Sequence, residues 1–152
     1  MTVKKIDFKQ MFQAIKIREV MVSPVITLNE TDDFVMVHEK LSLHGFRHLP
    51  VINDFGCLVG IITQRDLFQI HSPHRLDNGT WYYDKESLSK FLLKRVMVSD
   101  PYSLNPGNSL YEAIDAMVRF KYGCIPIVDE NNKPCGILTR HSVLKFLIAA
   151  NS

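Results

Sequence analysis

Apolar positions along this chain form a short cycle of helix-spaced and strand-like stretches, and the cycle runs twice. Residues 1–11 are weakly patterned and are expected to be partly disordered. Phe12, Ile15, Ile17, Val20 and Met21 predict a short helix over 12–21, stopped at Ser23-Pro24 because proline cannot continue the helical ladder. Residues 25–28 are rich in β-branched side chains and read as a strand. Asn29, Glu30, Thr31 and Asp32 offer capping oxygens to a helix with Phe34, Val37, Leu41 and His44 on one face, and Gly45 ends it. A strand over 48–52, a turn at Asn53-Asp54-Phe55-Gly56, a strand over 57–63 and a helix over 64–71 complete the cycle.

Pro73, Asp77, Asn78 and Gly79 then mark an exposed connector. Its Trp81, Tyr82 and Tyr83 either pin it to the core or form a partner-binding patch. From residue 87 the cycle restarts. A shift of 76 residues aligns 20–70 with 96–146 without a gap. Val20-Met21-Val22-Ser23 falls on Val96-Met97-Val98-Ser99, and Leu28-Asn29 on Leu104-Asn105. Pro50, Gly60-Ile61 and Thr63 fall on Pro126, Gly136-Ile137 and Thr139. In the second copy, Ser109 and Glu112 form a capping box for a helix reaching Lys121, with Leu110, Ala113, Ile114 and Met117 as its inner face. Residues 129–133 make the hairpin turn, and a last helix over 139–150 carries a stripe of Val143, Leu144, Leu147 and Ile148.

The expected fold class is α+β: two tandem β-α-β-β-α repeats, each with a leading helix, at 12–71 and 87–150, joined by a connector at 72–86. A repeat of about 55 residues buries too little surface to be stable alone. The two are therefore expected to pack about a pseudo-twofold axis, leaving two related clefts at their seam.

Composition narrows the function. Hydrophobic residues make up 46% and charged residues 22%, the balance of a soluble globular protein. A net charge of +2 with no dense Lys/Arg run gives no nucleic-acid surface. No apolar run approaches the roughly 18 residues that span a bilayer, and no secretory signal follows Lys4-Lys5. Cys57, Cys124 and Cys135 each lie in apolar runs and read as reduced core thiols of a cytoplasmic protein. His71-x-x-His74 lacks the partners of a metal site, and no nucleophile set or glycine-rich phosphate loop announces an enzyme.

The repeat resembles the CBS domain, named after cystathionine β-synthase, and the whole chain resembles a tandem pair, a Bateman module. The resemblance rests on Val20 through Val25 leading to Leu28, on His48-Leu49-Pro50-Val51-Ile52-Asn53, and on Gly60 through Asp66. In the second copy it rests on Val96 through Ser99, Cys124 through Asp129, and Gly136 through Ser142. It implies a non-enzymatic regulatory module that takes an adenosyl ligand (AMP, ADP, ATP or S-adenosylmethionine) in the seam. It also implies a homodimer and a regulated partner protein, with no nucleic-acid or membrane partner.

By the same resemblance Asp66 grips the ribose hydroxyls, and Thr63 with nearby basic groups meets phosphate. The chemistry suits the residues, since a carboxylate accepts both protons of a cis-diol. Thr63-x-x-Asp66 is equally an ordinary capping box. Arg47, His48 and Arg65 are phosphate candidates or plain surface residues. Val98, Tyr102 and Tyr122 are expected in the same cleft, where either tyrosine stacks on a base or fills the space. The second cleft, with Val22, Ile26, Phe46, Thr139, Arg140 and Ser142, is expected to be weaker. There Ser142 replaces Asp66, Cys124 replaces His48, and Gly123 replaces Arg47, while Arg140 restores one positive group. The competing reading is a ligand-free protein-interaction or dimerisation module.

Overall fold

The computed structural model describes residues 5–44, 47–66, 74–82 and 93–150. In chain order its elements are α1 (Phe8–Ala14), β1 (Leu28–Asn29), α2 (Phe34–His44), β2 (His48–Ile52), β3 (Leu58–Thr63), β4 (His74–Arg75), β5 (Trp81–Tyr82), β6 (Val98–Ser99), α3 (Leu110–Phe120), β7 (Cys124–Val128), β8 (Pro134–Thr139) and α4 (Arg140–Ala150). Short 3-10 turns stand at Ile17–Glu19 and Leu93–Arg95. The chain divides into two compact units, one made of Ile26–Pro101 and the other of Met1–Val25 with Tyr102–Ser152.

The Ile26–Pro101 unit holds a four-stranded sheet in the order β1-β2-β3-β6. β1 runs parallel to β2, as a strand-helix-strand crossover through α2 requires, and the other pairs are antiparallel. The turn between β2 and β3 is held by Asn53, whose Oδ1 accepts the Phe55 and Cys57 amides at 3.0 Å each. Gly56 takes φ 80° there, a left-handed conformation that glycine adopts at little cost. Leu28, Val37, Leu41, Leu49, Val51, Ile62 and Leu93 form the buried core.

The second unit repeats this plan. β7 pairs antiparallel with β8, flanked by a parallel bridge Leu104↔Ile127 and an antiparallel bridge Val22↔Ile137. Asp129 Oδ1 accepts the Asn131 and Lys133 amides at 2.8 and 3.0 Å, and Asn132 takes φ 60° where Gly56 stood. The core includes Ile17, Ala113, Met117, Ile125, Ile127 and Leu138, each the 76-residue counterpart of a core position in the first unit.

Each core is completed by the leading segment of the other repeat. Ile17, from the first copy's lead, is fully buried against second-copy strands, and Leu93 is fully buried in the first-copy core. The junction is close. A Cβ on Gly136 would lie 2.6 Å from Met21 Sδ, and one on Gly60 would collide with Met97 Sδ. Only glycine lets each methionine cross its hairpin, so these two matched pairs are one device used twice.

Several local expectations are corrected. The leading helix is not continuous over 12–21. It starts earlier, because Asp7 Oδ1 accepts the Gln10 amide at 3.1 Å, and it ends at Ala14 with Ile15 extended. A 3-10 turn follows, held by Glu19 Oε2 accepting the Lys16 amide at 2.7 Å. The first strand is Leu28–Asn29 rather than 25–28, since only these residues find partners on β2. Asp33, not residues 29–32, caps α2 by accepting the Met36 amide at 3.0 Å; Asp32 instead accepts the Asn29 amide at 2.9 Å.

The connector contains a small hairpin, β4 with β5, in which the Leu76 amide donates to the Thr80 carbonyl at 2.7 Å. Of the stripe on α4 only Val143 is buried, while Leu144 and Ile148 are exposed. Residues 67–71 of the helix expected over 64–71, residues 87–92 of the leading helix expected over 87–95, the residue Phe46 and the Tyr83 end of the aromatic patch lie outside the described residues, while Leu93–Arg95 form a 3-10 turn.

Candidate ligand-binding site

In the first unit, antiparallel register sets His48 opposite Thr63, and the Gln64 amide donates to the Arg47 carbonyl at 3.1 Å. Residues 64–66 begin a helix, and Thr63 and Asp66 close its first turn on each other. The Thr63 amide and Oγ1 both donate to Asp66 Oδ2, at 2.7 and 3.0 Å, while the Asp66 amide donates to Thr63 Oγ1 at 3.3 Å. This is the reciprocal capping box. Its bonds converge on Oδ2, so Oδ1 takes no part in the cap. Asp66 and Thr63 are half-buried, Arg47 and Arg65 exposed. Val98 stands on β6, paired with Ile61, and Ile26 packs on the edge of the same unit's core.

The counterpart cap in the second unit keeps the backbone and changes the chemistry. The Thr139 amide donates to Ser142 Oγ at 2.9 Å, and the Ser142 amide donates to Thr139 Oγ1 at 3.0 Å. Ser142 Oγ also donates to the Thr139 carbonyl at 2.8 Å. Its single proton is thus used locally, and no carboxylate remains. Cys124 faces Thr139 across β7 and β8, and burial pushes its thiol up to about 12. The Arg140 amide donates to the Gly123 carbonyl at 3.2 Å, and its guanidinium lies over Gly123, where a Cβ would be 3.1 Å from Nη2. Val22 in this unit forms both bonds of its bridge to Ile137, at 2.9 and 3.0 Å.

Tyr102 and Tyr122 stack on each other, with ring centroids 5.4 Å apart, and Phe120 packs against both. Desolvation, then the charges of Glu112, Tyr122 and Asp115, raises the Tyr102 hydroxyl above its usual value. The two tyrosines therefore form a cluster of their own unit, while Arg47, His48, Thr63, Arg65 and Asp66 gather in the other. A feature the sequence did not announce is a polar groove of about 790 Å³ between Arg18, the 105–107 loop and the 129–131 turn. It arises because the first copy's lead docks there, with the Arg18 amide donating to the Pro106 carbonyl at 3.0 Å. A 76-residue alignment gives no signal of that docking.

The duplicated plan agrees with comparison to known proteins. The CBS-domain profile matches residues 17–72 and 93–149, and the chain belongs to the CBS-domain family as a tandem pair. A Methanocaldococcus jannaschii protein, MJ1225, is 32% identical over 103 residues, which are 68% of this chain and 36% of that protein. This chain thus spans little more than a third of that relative. The solved structure of CBSX2 in complex with AMP is similar with a TM-score of 0.74 at 22% identity, covering 91% of this chain and 100% of that one. The CBS domain pair of protein MJ0100, in complex with 5′-methylthioadenosine and S-adenosylmethionine, has a TM-score of 0.72 at 19% identity, covering 90% and 98%. At those identities the two structures establish the fold.

Proposed function

We propose that the chain is a regulatory module, without catalysis of its own, that binds an adenosyl ligand chiefly at the Asp66 cap. The observation that carries this is the division of labour on one carboxylate. Oδ2 is held by Thr63, which fixes the side chain, and Oδ1 stays outside those bonds. A carboxylate fixed through one oxygen, with no bond to the other among the described residues, is suited to a ribose cis-diol, because orienting the acceptor beforehand lowers the cost of binding. Ser142 lacks both the charge and the spare acceptor, so the second cap is the weaker one. Arg47, His48 and Arg65 supply the groups for a phosphate.

The ligands of CBSX2 and of MJ0100 support the reading, since both proteins hold adenosine compounds on this fold. Binding would act by favouring one of two arrangements already in equilibrium, and so be passed to a regulated protein. The reading includes a homodimer, for which exposed Leu144 and Ile148 offer an apolar helix face. A monomeric mass by light scattering, with and without AMP, would remove that part. Calorimetric titration with AMP, ATP and S-adenosylmethionine tests the core of it. At least one should bind in the millimolar range or tighter and weaken in Asp66→Asn. If none does, the chain is a protein-interaction module instead.

A further inference from the structure

We propose that Met21 and Met97 are paired modification sites, at which a hydroperoxide oxidises the thioether and releases each leading segment from the hairpin it crosses. The chain has six methionines, and these two stand apart from the others described. Met11 and Met36 are exposed, and neither packs against the core clusters described. Met117 is buried in the core, where peroxide has little access. Met21 and Met97 are half-buried, each packed on a core cluster and each followed by an exposed valine, Val22 or Val98. They combine reach with consequence.

The consequence follows from how the sulfurs are seated. A Cβ on Gly136 would lie 2.6 Å from Met21 Sδ and 3.0 Å from its Cγ, with the Val22 carbonyl at 3.3 Å. A Cβ on Gly60 would collide with Met97 Sδ and lie 2.9 and 3.1 Å from its Cγ and Cε. Each thioether thus rests on glycine backbone with no room for another heavy atom between them. In the oxidation a sulfur lone pair attacks the terminal peroxide oxygen and the O–O bond breaks. The hydroxyl proton passes to the departing oxygen, which leaves as water or an alcohol. Sulfur gives up two electrons and the peroxide takes them. The sulfoxide is polar and needs hydration, so the side chain must leave its glycine.

Next to each methionine, the lead is bonded to the strand that carries the glycine. Val22 and Ile137 exchange bonds at 2.9 and 3.0 Å, and the Asp100 amide donates to the Val59 carbonyl at 3.1 Å. Those bonds are the ones that oxidation loosens. Two of the three thiols compete poorly for the peroxide, which attacks thiolate rather than thiol. Burial pushes the Cys124 thiol up to about 12, and desolvation raises Cys135 as well. A methionine sulfoxide reductase restores the thioether, so the release is reversible.

The test treats the ligand-free full chain with hydrogen peroxide, restores its thiols with dithiothreitol, and reads sulfoxide by peptide mass and backbone opening by amide exchange. Sulfoxide at Met21 and Met97 should accompany a rise of about tenfold or more in exchange at the Val22, Ile137 and Asp100 amides. Methionine sulfoxide reductases should reverse both. Met11→Leu with Met36→Leu should keep the whole response, whereas Met21→Leu with Met97→Leu should abolish it. The Met11 and Met36 variant decides alone if the other fails to fold. Loss of its response would overturn the proposal, as would a full response in a folded Met21→Leu, Met97→Leu chain. So would a folded chain that gains no sulfoxide at Met21 and Met97, or one that gains it with exchange unchanged. None of these outcomes bears on adenosyl binding.

Discussion

Thr63 and Asp66 exchange three hydrogen bonds in which only Oδ2 of the carboxylate takes part, so substitutions at Asp66 can separate capping from recognition. Asp66→Asn keeps an oxygen for the Thr63 amide and should melt near the parent chain, while adenosyl affinity falls about tenfold or more with the loss of charge. Asp66→Ala removes the cap as well and should cost about 1 kcal/mol of stability in urea unfolding. Equal stability losses in the two variants would show that the cap depends on charge rather than on an acceptor. The sequence pattern Thr-x-x-Asp was legible as a cap or as a ligand site. It could not show that Thr63 bonds only to Oδ2, because that depends on where the side chain rotates. Cys124 gives a pH test at the same scale. Burial raises its thiol from 9.0 to about 12, so the folded chain holds a proton that the unfolded chain releases above its lower value. The stability this group contributes is complete below pH 9 and is lost as pH rises from 9 towards 12. Cys124→Ala should flatten that alkaline limb in denaturant titrations. An unchanged limb would contradict the assignment.

At the scale of elements, the hairpins β2–β3 and β7–β8 were readable in advance. Their turns carry Asn53 and Asp129, side chains that accept two amides each and so specify the reversal locally. The leading segments were not readable in the same way. Residues 12–21 have helical spacing, but Ile15 is extended and Ile17 turns inward, because burial in a neighbouring core outweighs the weak preference of a short helix. The clue lay in the pairs Met21 with Gly136 and Met97 with Gly60, which sequence shows as matched residues without showing that they touch. Gly136→Ala should destabilise by about 1–3 kcal/mol, since the Cβ meets Met21 Sδ and the Val22 carbonyl. Combined with Met21→Ala, the cost should be well short of additive in a double-mutant cycle. Additive losses would mean that the two residues do not share a contact. The hairpin at β4–β5 escaped the sequence reading for another reason: two residues per strand are too few to show an alternation.

For the whole molecule, the sequence repeat and the spatial unit are different objects. The 76-residue repeat describes how the chain is written, whereas the units unite Met1–Val25 with Tyr102–Ser152 and leave Ile26–Pro101 as the other. A chain starting at residue 26 should thus lose hydrogen-exchange protection at the Leu110 and Ile137 amides, which donate to the Ile15 and Val22 carbonyls at 2.8 and 3.0 Å. Protection across β2–β3 should persist, because that hairpin takes its lead from Leu93 onwards. The fold class and the duplicated caps were legible because repetition amplifies weak local signals. The crossing of the leads was not, since a uniform shift relates the copies whichever hairpin each lead joins. In the proposed reading, function turns on the inequality of the two caps. Its most direct test is calorimetric titration of AMP into the parent chain, Asp66→Asn and Ser142→Ala. Binding to the parent is expected, with a loss of about tenfold or more in Asp66→Asn and little change at the stronger site in Ser142→Ala. Equal weakening by both substitutions, or AMP binding unaffected by Asp66→Asn, would contradict it.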